Sequence, residues 1–90
     1  MKTLLMGSLV ALALSSQVYA GPKCTDGDQT NWTPADQMQQ QIKDDGYKIK
    51  RFKVSKGGCY EIYGWNNEGR KAEVYFNPVT GDVVKAEIDD

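Results

Sequence analysis

The sequence predicts an α+β domain in which one N-terminal helix packs on a four-stranded antiparallel β-meander. Three observations carry this. A capped, weakly apolar helical pattern comes first, spanning residues 33–46. Four stretches with strand periodicity then follow without a break to the end of the chain. The turns between them hold Gly, Asn and Pro and are too short for the crossovers that parallel strands need.

The segment before the domain reads as a leader. Lys2 supplies a positive charge, Leu4 to Leu14 is an apolar run too short to span a bilayer, and Val18-Tyr19-Ala20 offers small residues at the two positions a signal peptidase reads. A signal peptide over 1–20, cleaved after Ala20, is expected; an uncleaved membrane anchor is the alternative. Export to a Gram-negative periplasm, or secretion, follows from the first reading. Residues 21–31 are polar, with Gly, Pro, Asp and Thr, and read as an extended arm. Residues 32–90 are left for the fold, a domain small enough to need a covalent staple.

Both cysteines, Cys24 and Cys59, lie beyond the leader. Two cysteines in a small exported domain most simply form one disulfide, here tying the arm to the sheet. A redox-active pair is the other reading, but such pairs usually sit as Cys-x-x-Cys at a helix start. The chain has no histidine, so the commonest general base and metal ligand are missing. Eleven basic residues against twelve acidic ones give a net charge of −1, which lacks the positive excess of a nucleic-acid footprint. No cofactor or metal motif is present, the acids lack Ca²⁺-loop spacing, and no nucleophile motif marks an enzyme.

Within the domain, Thr33 is placed to cap a helix, with Pro34 in its first turn and Gly46 to stop it. Ala35, Met38 and Ile42 form its narrow apolar stripe. Tyr47 to Val54 is the first strand. Its phase slips near Lys50-Arg51, so a bulge is expected there. Ser55-Lys56-Gly57-Gly58 turns into the second strand, Cys59 to Trp65. Asn66 to Gly69 turns into the third, Arg70 to Phe76, where Ala72, Val74 and Phe76 alternate with Lys71, Glu73 and Tyr75. Asn77 to Gly81 turns again. Asp82 to Ile88 is the last strand, with Val84, Ala86 and Ile88 expected inward.

The order of these pieces resembles the PepSY domain, in its small, single-domain, exported bacterial form. The likeness rests on a helix ending in Gly46-Tyr47, a basic strand, Cys59-Tyr60-Glu61-Ile62-Tyr63, an Asn67-Glu68-Gly69 turn and Glu73-Val74-Tyr75-Phe76-Asn77-Pro78-Val79-Thr80-Gly81-Asp82-Val83-Val84. It runs from about Trp32 to Glu87. Its most specific piece, Asn77-Pro78-x-Thr80-Gly81-x-Val83, is similar to the family's Asp-Pro-x-Thr-Gly-x-Val; Asn77 stands where aspartate is usual, and either residue makes the turn. The resemblance implies a non-enzymatic domain that binds and inhibits peptidases or modulates local protease activity. It carries no catalytic residues.

Two surfaces are candidates for contact. If Tyr60 and Ile62 face the helix, Tyr63, Trp65 and Tyr75 line the opposite face, where Tyr and Trp offer contact area with a polar handle; ordinary cross-strand packing is the plainer reading. Lys48, Lys50, Arg51, Lys53 and Lys56 make a basic strand and turn. Such a run discourages edge-to-edge aggregation, or else meets an acidic partner or, peripherally, an anionic membrane surface. The expected partner is therefore a protein, a peptidase in the family-implied form. The alternative is an accessory role beside a membrane sensor or electron-transfer protein.

Overall fold

A computed structural model describes residues 21–89. The expected signal peptide over residues 1–20 and its expected cleavage site after Ala20 lie outside the described residues. A short 3₁₀ turn at Gln29–Asn31 interrupts the arm, because Asp28 Oδ1 accepts from both the backbone N–H and the hydroxyl of Thr30, at 3.0 and 2.6 Å. Helix α1 follows at Ala35–Asp44, then strands β1 (Lys48–Val54), β2 (Tyr60–Trp65), β3 (Lys71–Phe76) and β4 (Val83–Ile88). The strands stand side by side in chain order and every pair is antiparallel. The expected α+β meander is the observed fold, and β1 carries its expected bulge between Ile49 and Arg51.

One face of the sheet is sealed by the helix. Met38 and Ile42 from α1 pack with Tyr60 and Ile62 from β2 and with Ala72, Val74 and Phe76 from β3. Trp32, Tyr47, Ile49 and Phe52 close the flanks of this core. Trp32 meets Tyr60 edge-on at 5.2 Å, and Tyr47 meets Phe76 edge-on at 5.7 Å, the arrangement ring quadrupoles favour. Gly64 is needed at its place in β2 because the Lys48 carbonyl occupies the space where a Cβ would sit, beside the β1 bulge. Burying Ile62 and Val74 completely, as here, stabilises by about 1.5–3 kcal/mol each.

Three expectations are corrected. Thr33 does not cap α1: its N–H donates to the Pro78 carbonyl at 2.8 Å and its carbonyl accepts the Tyr60 hydroxyl at 2.6 Å, so tertiary bonds hold it. Pro34 takes the cap position with no side-chain bond. Ala35 is exposed, since the helix meets the sheet only from Met38 onward. Val84, Ala86 and Ile88 are not inward either. All of β4 is exposed, because one ten-residue helix is too narrow to reach the fourth strand.

The turn at Asn77–Gly81 is closed by its own side chains. Asn77 Oδ1 accepts from the N–H groups of Val79 (2.8 Å) and Thr80 (3.3 Å), and Gly81 sits at φ 83°. An amide oxygen does here what a carboxylate oxygen would. Pro78 is fully buried and anchors the start of the helix through its carbonyl.

Cys24 and Cys59 form the expected disulfide, with a sequence separation of 35. The arm is further held by Cys24 N–H donating to the Gly57 carbonyl at 2.8 Å and by the Thr25 hydroxyl donating to that of Gly58 at 2.9 Å. On the chain-entropy model such a bridge stabilises by about 3–4 kcal/mol. Replacing both cysteines by serine should therefore lower the unfolding free energy by about 3 kcal/mol in urea titrations followed by circular dichroism; an unchanged midpoint would show that the arm is held by its hydrogen bonds alone.

Candidate functional site

Strand alternation sends every second side chain of the sheet away from the helix, and the register sorts them into rows. One row runs Lys53, Glu61, Tyr75, Lys85 from β1 to β4. The next runs Arg51, Tyr63, Glu73, Glu87. A third places Trp65 between Lys48 and Lys71. Tyrosines and glutamates thus alternate diagonally over the middle two strands, with cations along β1.

Glu61 is the unusual member. It is only 3% exposed, yet it stands on the face that the helix does not cover. Lys53 pairs with it only at long range, with Nζ 3.9 Å from Oε1. Burial raises its pKa, and a hydrogen bond to the Glu73 carboxyl reinforces the rise. Glu73 moves the other way: it accepts from Glu61, and from the Tyr75 hydroxyl at 2.7 Å, and both bonds favour its charged form. The hydrogen bond between the two carboxyls thus favours a neutral Glu61 beside a charged Glu73. Tyr63 bonds to Glu61 as well, and that bond, with desolvation, pushes its own pKa up to about 12. The Arg51 guanidinium and the Lys53 ammonium lie 5.7 and 5.9 Å from the Tyr63 ring centroid, within cation–π range.

The arm covers one end of this grid. Cys59 immediately precedes β2, in the same phase as Glu61, so the disulfide delivers the arm to the uncovered face. Gly21 packs on the Tyr75 ring, where a Cβ would come within 2.9 Å of it. Tyr75 is in consequence only 7% exposed. Tyr63 and Trp65 stand clear of the arm and are half-buried. They line a half-open depression of about 410 Å³ with Lys50 and Arg51 on the β1 side, Lys71 and Glu73 on β3, and Glu87 and Asp89 at the β4 side. Of the three aromatics singled out in the sequence, the face thus presents two and tucks the third beneath the arm.

The Glu61–Glu73 pair was not singled out in the sequence. Its signal was there: an acid in the middle of Cys-Tyr-Glu-Ile-Tyr, in phase with Cys59 and Tyr63, cannot be fully solvated if its neighbours pack. Among the described residues, no group of three His, Cys, Asp or Glu side chains could hold a metal ion, and no helix is long and apolar enough to cross a membrane.

Fold and face together define a small α+β domain with one sheet face sealed by a helix and the other turned outward with an aromatic and ionic grid. The chain belongs to the PepSY family: the family model described as peptidase propeptide and YPEB domain matches residues 4–87. Domains of that family are of the propeptide or inhibitor type and are associated with peptidases. No curated protein and no solved structure matches the chain significantly.

The opposed shifts of Glu61 and Glu73 make stability depend on pH in two directions. Glu61 holds its proton more tightly folded than unfolded, so its contribution is present below its unfolded pKa and is lost as pH rises through the raised folded value. Glu73 contributes above its unfolded pKa and loses that as pH falls through its lowered value. Thermal midpoints of the wild type should decline on the alkaline side of the Glu61 pKa, whereas Glu61→Gln, which stays neutral, should lack that decline and retain the acid-side one. Parallel curves for the two proteins would contradict a protonated Glu61.

Proposed function

We propose that the protein is an exported, non-enzymatic binding domain that modulates a peptidase by holding a segment of it against the open sheet face. The observation that carries this is the pairing of two accessible aromatics, Tyr63 and Trp65, with a depression whose walls are basic on the β1 side and acidic on the β4 side. Tyr and Trp supply contact area at low entropic cost, and the charge gradient sets the direction in which a bound segment lies. Such a segment would place acidic groups over Lys50 and Arg51 and basic groups over Glu87 and Asp89. Tyr75 and the Glu61–Glu73 pair act from beneath, fixing Tyr63 through a hydrogen bond that a mobile rotamer would break. The disulfide and the leader-like residues 1–20 support a periplasmic or secreted setting. No residue of the face is assigned a chemical step.

Two outcomes test this reading. Purified protein should slow at least one periplasmic peptidase at micromolar concentration, and the double variant Tyr63→Ser with Trp65→Ser should weaken that inhibition at least about tenfold while keeping the wild-type circular dichroism. Equal inhibition by a folded double variant would remove the face from the mechanism. In cells, the protein should fractionate with the periplasm and give an intact mass that begins at Gly21; a full-length mass in the membrane fraction would favour an anchor.

A further inference from the structure

We propose that β4 pairs with β4 of a second copy about a two-fold axis at Ala86, joining two four-stranded sheets into one of eight strands. This goes beyond the peptidase reading and stands whether or not a peptidase binds.

The argument begins with the backbone. The Asp89 N–H donates to the Lys71 carbonyl at 2.9 Å, and the register continues through Glu73 opposite Glu87 and Tyr75 opposite Lys85. In an antiparallel ladder the groups aimed at a neighbour recur every second residue. Lys85, Glu87 and Asp89 therefore spend their backbone groups on β3, and Ala86 and Ile88 turn theirs to the open edge. A two-fold centred on Ala86 makes an hydrogen-bonded pair of the two Ala86 residues, using those unspent groups, and sets Ile88 opposite the second copy's Val84.

Charge selects the same centre. With Ala86 on the axis, Lys85 faces the second copy's Glu87 and Glu87 faces its Lys85. Within one chain these two side chains already form an ion pair at 3.1 Å while remaining about half exposed, so both are available to a box of four alternating charges. Moving the centre to Ile88 would set Glu87 against Asp89, acid on acid. Centring on Lys85 or Glu87 would leave the backbone able to pair but would set like charge on like at the axis.

Burial supplies the reason to pair. Val83, Val84 and Ile88 are 48, 43 and 38% exposed on the strand that the helix does not reach. In an eight-stranded sheet the two bare stripes lie side by side between the two helices. The opposite edge is guarded: Lys48, Lys50, Arg51 and Lys53 along β1 repel a second β1. Both outward faces fall on the same side of the joined sheet. Tyr63 of one copy then lies five strand spacings, about 24 Å, from Tyr63 of the other.

Sedimentation equilibrium on the oxidised protein should show a reversible monomer–dimer equilibrium over the micromolar range, as a small interface implies. Glu87→Lys should weaken dimerisation at least about tenfold by setting lysine on lysine. The double exchange Lys85→Glu with Glu87→Lys should restore it to within about threefold, and so should mixing Glu87→Lys with Lys85→Glu. Circular dichroism establishes that each variant is folded, and the mixing arm needs only the single variants. A monomer at all concentrations up to about 500 µM, an open-ended assembly, or a dimer indifferent to Glu87→Lys would each overturn the proposal.

Discussion

Among the described residues one short α-helix has to seal a four-stranded sheet, and most of the structure follows from that shortage. Only Met38 and Ile42 of α1 are buried, so the core is centred where they reach, over β2 and β3. Trp32, Tyr47 and Phe52 extend the cover with rings where the helix has no further residues to give. Beyond β3 the cover ends and β4 is exposed along its length. Among the described residues no helix covers the opposite face, and it is kept in order by hydrogen bonds and by a covalently held arm.

That second face shows how a small domain stabilises polar groups without a second apolar layer. An ionised pair of glutamates would repel, and two neutral ones would lose their attraction for Lys53 and for the tyrosine hydroxyls. The bond between the two carboxyls raises the pKa of Glu61 and lowers that of Glu73, so it favours one neutral and one charged acid, and tyrosine hydroxyls bond to them as well. The disulfide completes the arrangement by laying Gly21 on Tyr75, which closes one end of the grid and leaves Tyr63 and Trp65 clear at the other.

Much of this was legible in the residues. Alternation in β3 and the short turns identified the meander, the phase slip at Lys50-Arg51 located the bulge, and two cysteines with one plausible pairing gave the staple. What periodicity could not convey was extent. Val84, Ala86 and Ile88 alternate as an inward set would, but alternation says only that they share a face, and how far the helix reaches across the sheet decides whether that face is covered. Thr33 has the chemistry of a cap, yet Pro78 and Tyr60, distant in sequence, take its backbone groups. Tyr75 reads as exposed because the arm that covers it lies more than fifty residues earlier in the chain. In each case a non-local contact overrode a local preference.

The central claim is that the face away from the helix is the one that meets a peptidase. Site-specific photo-crosslinking in intact cells tests it most directly, with the probe placed at Trp65 on the open face or at the exposed helix residue Gln40. The account predicts a peptidase-containing adduct from position 65 and none from position 40. Adducts from position 40 with none from position 65 would contradict it.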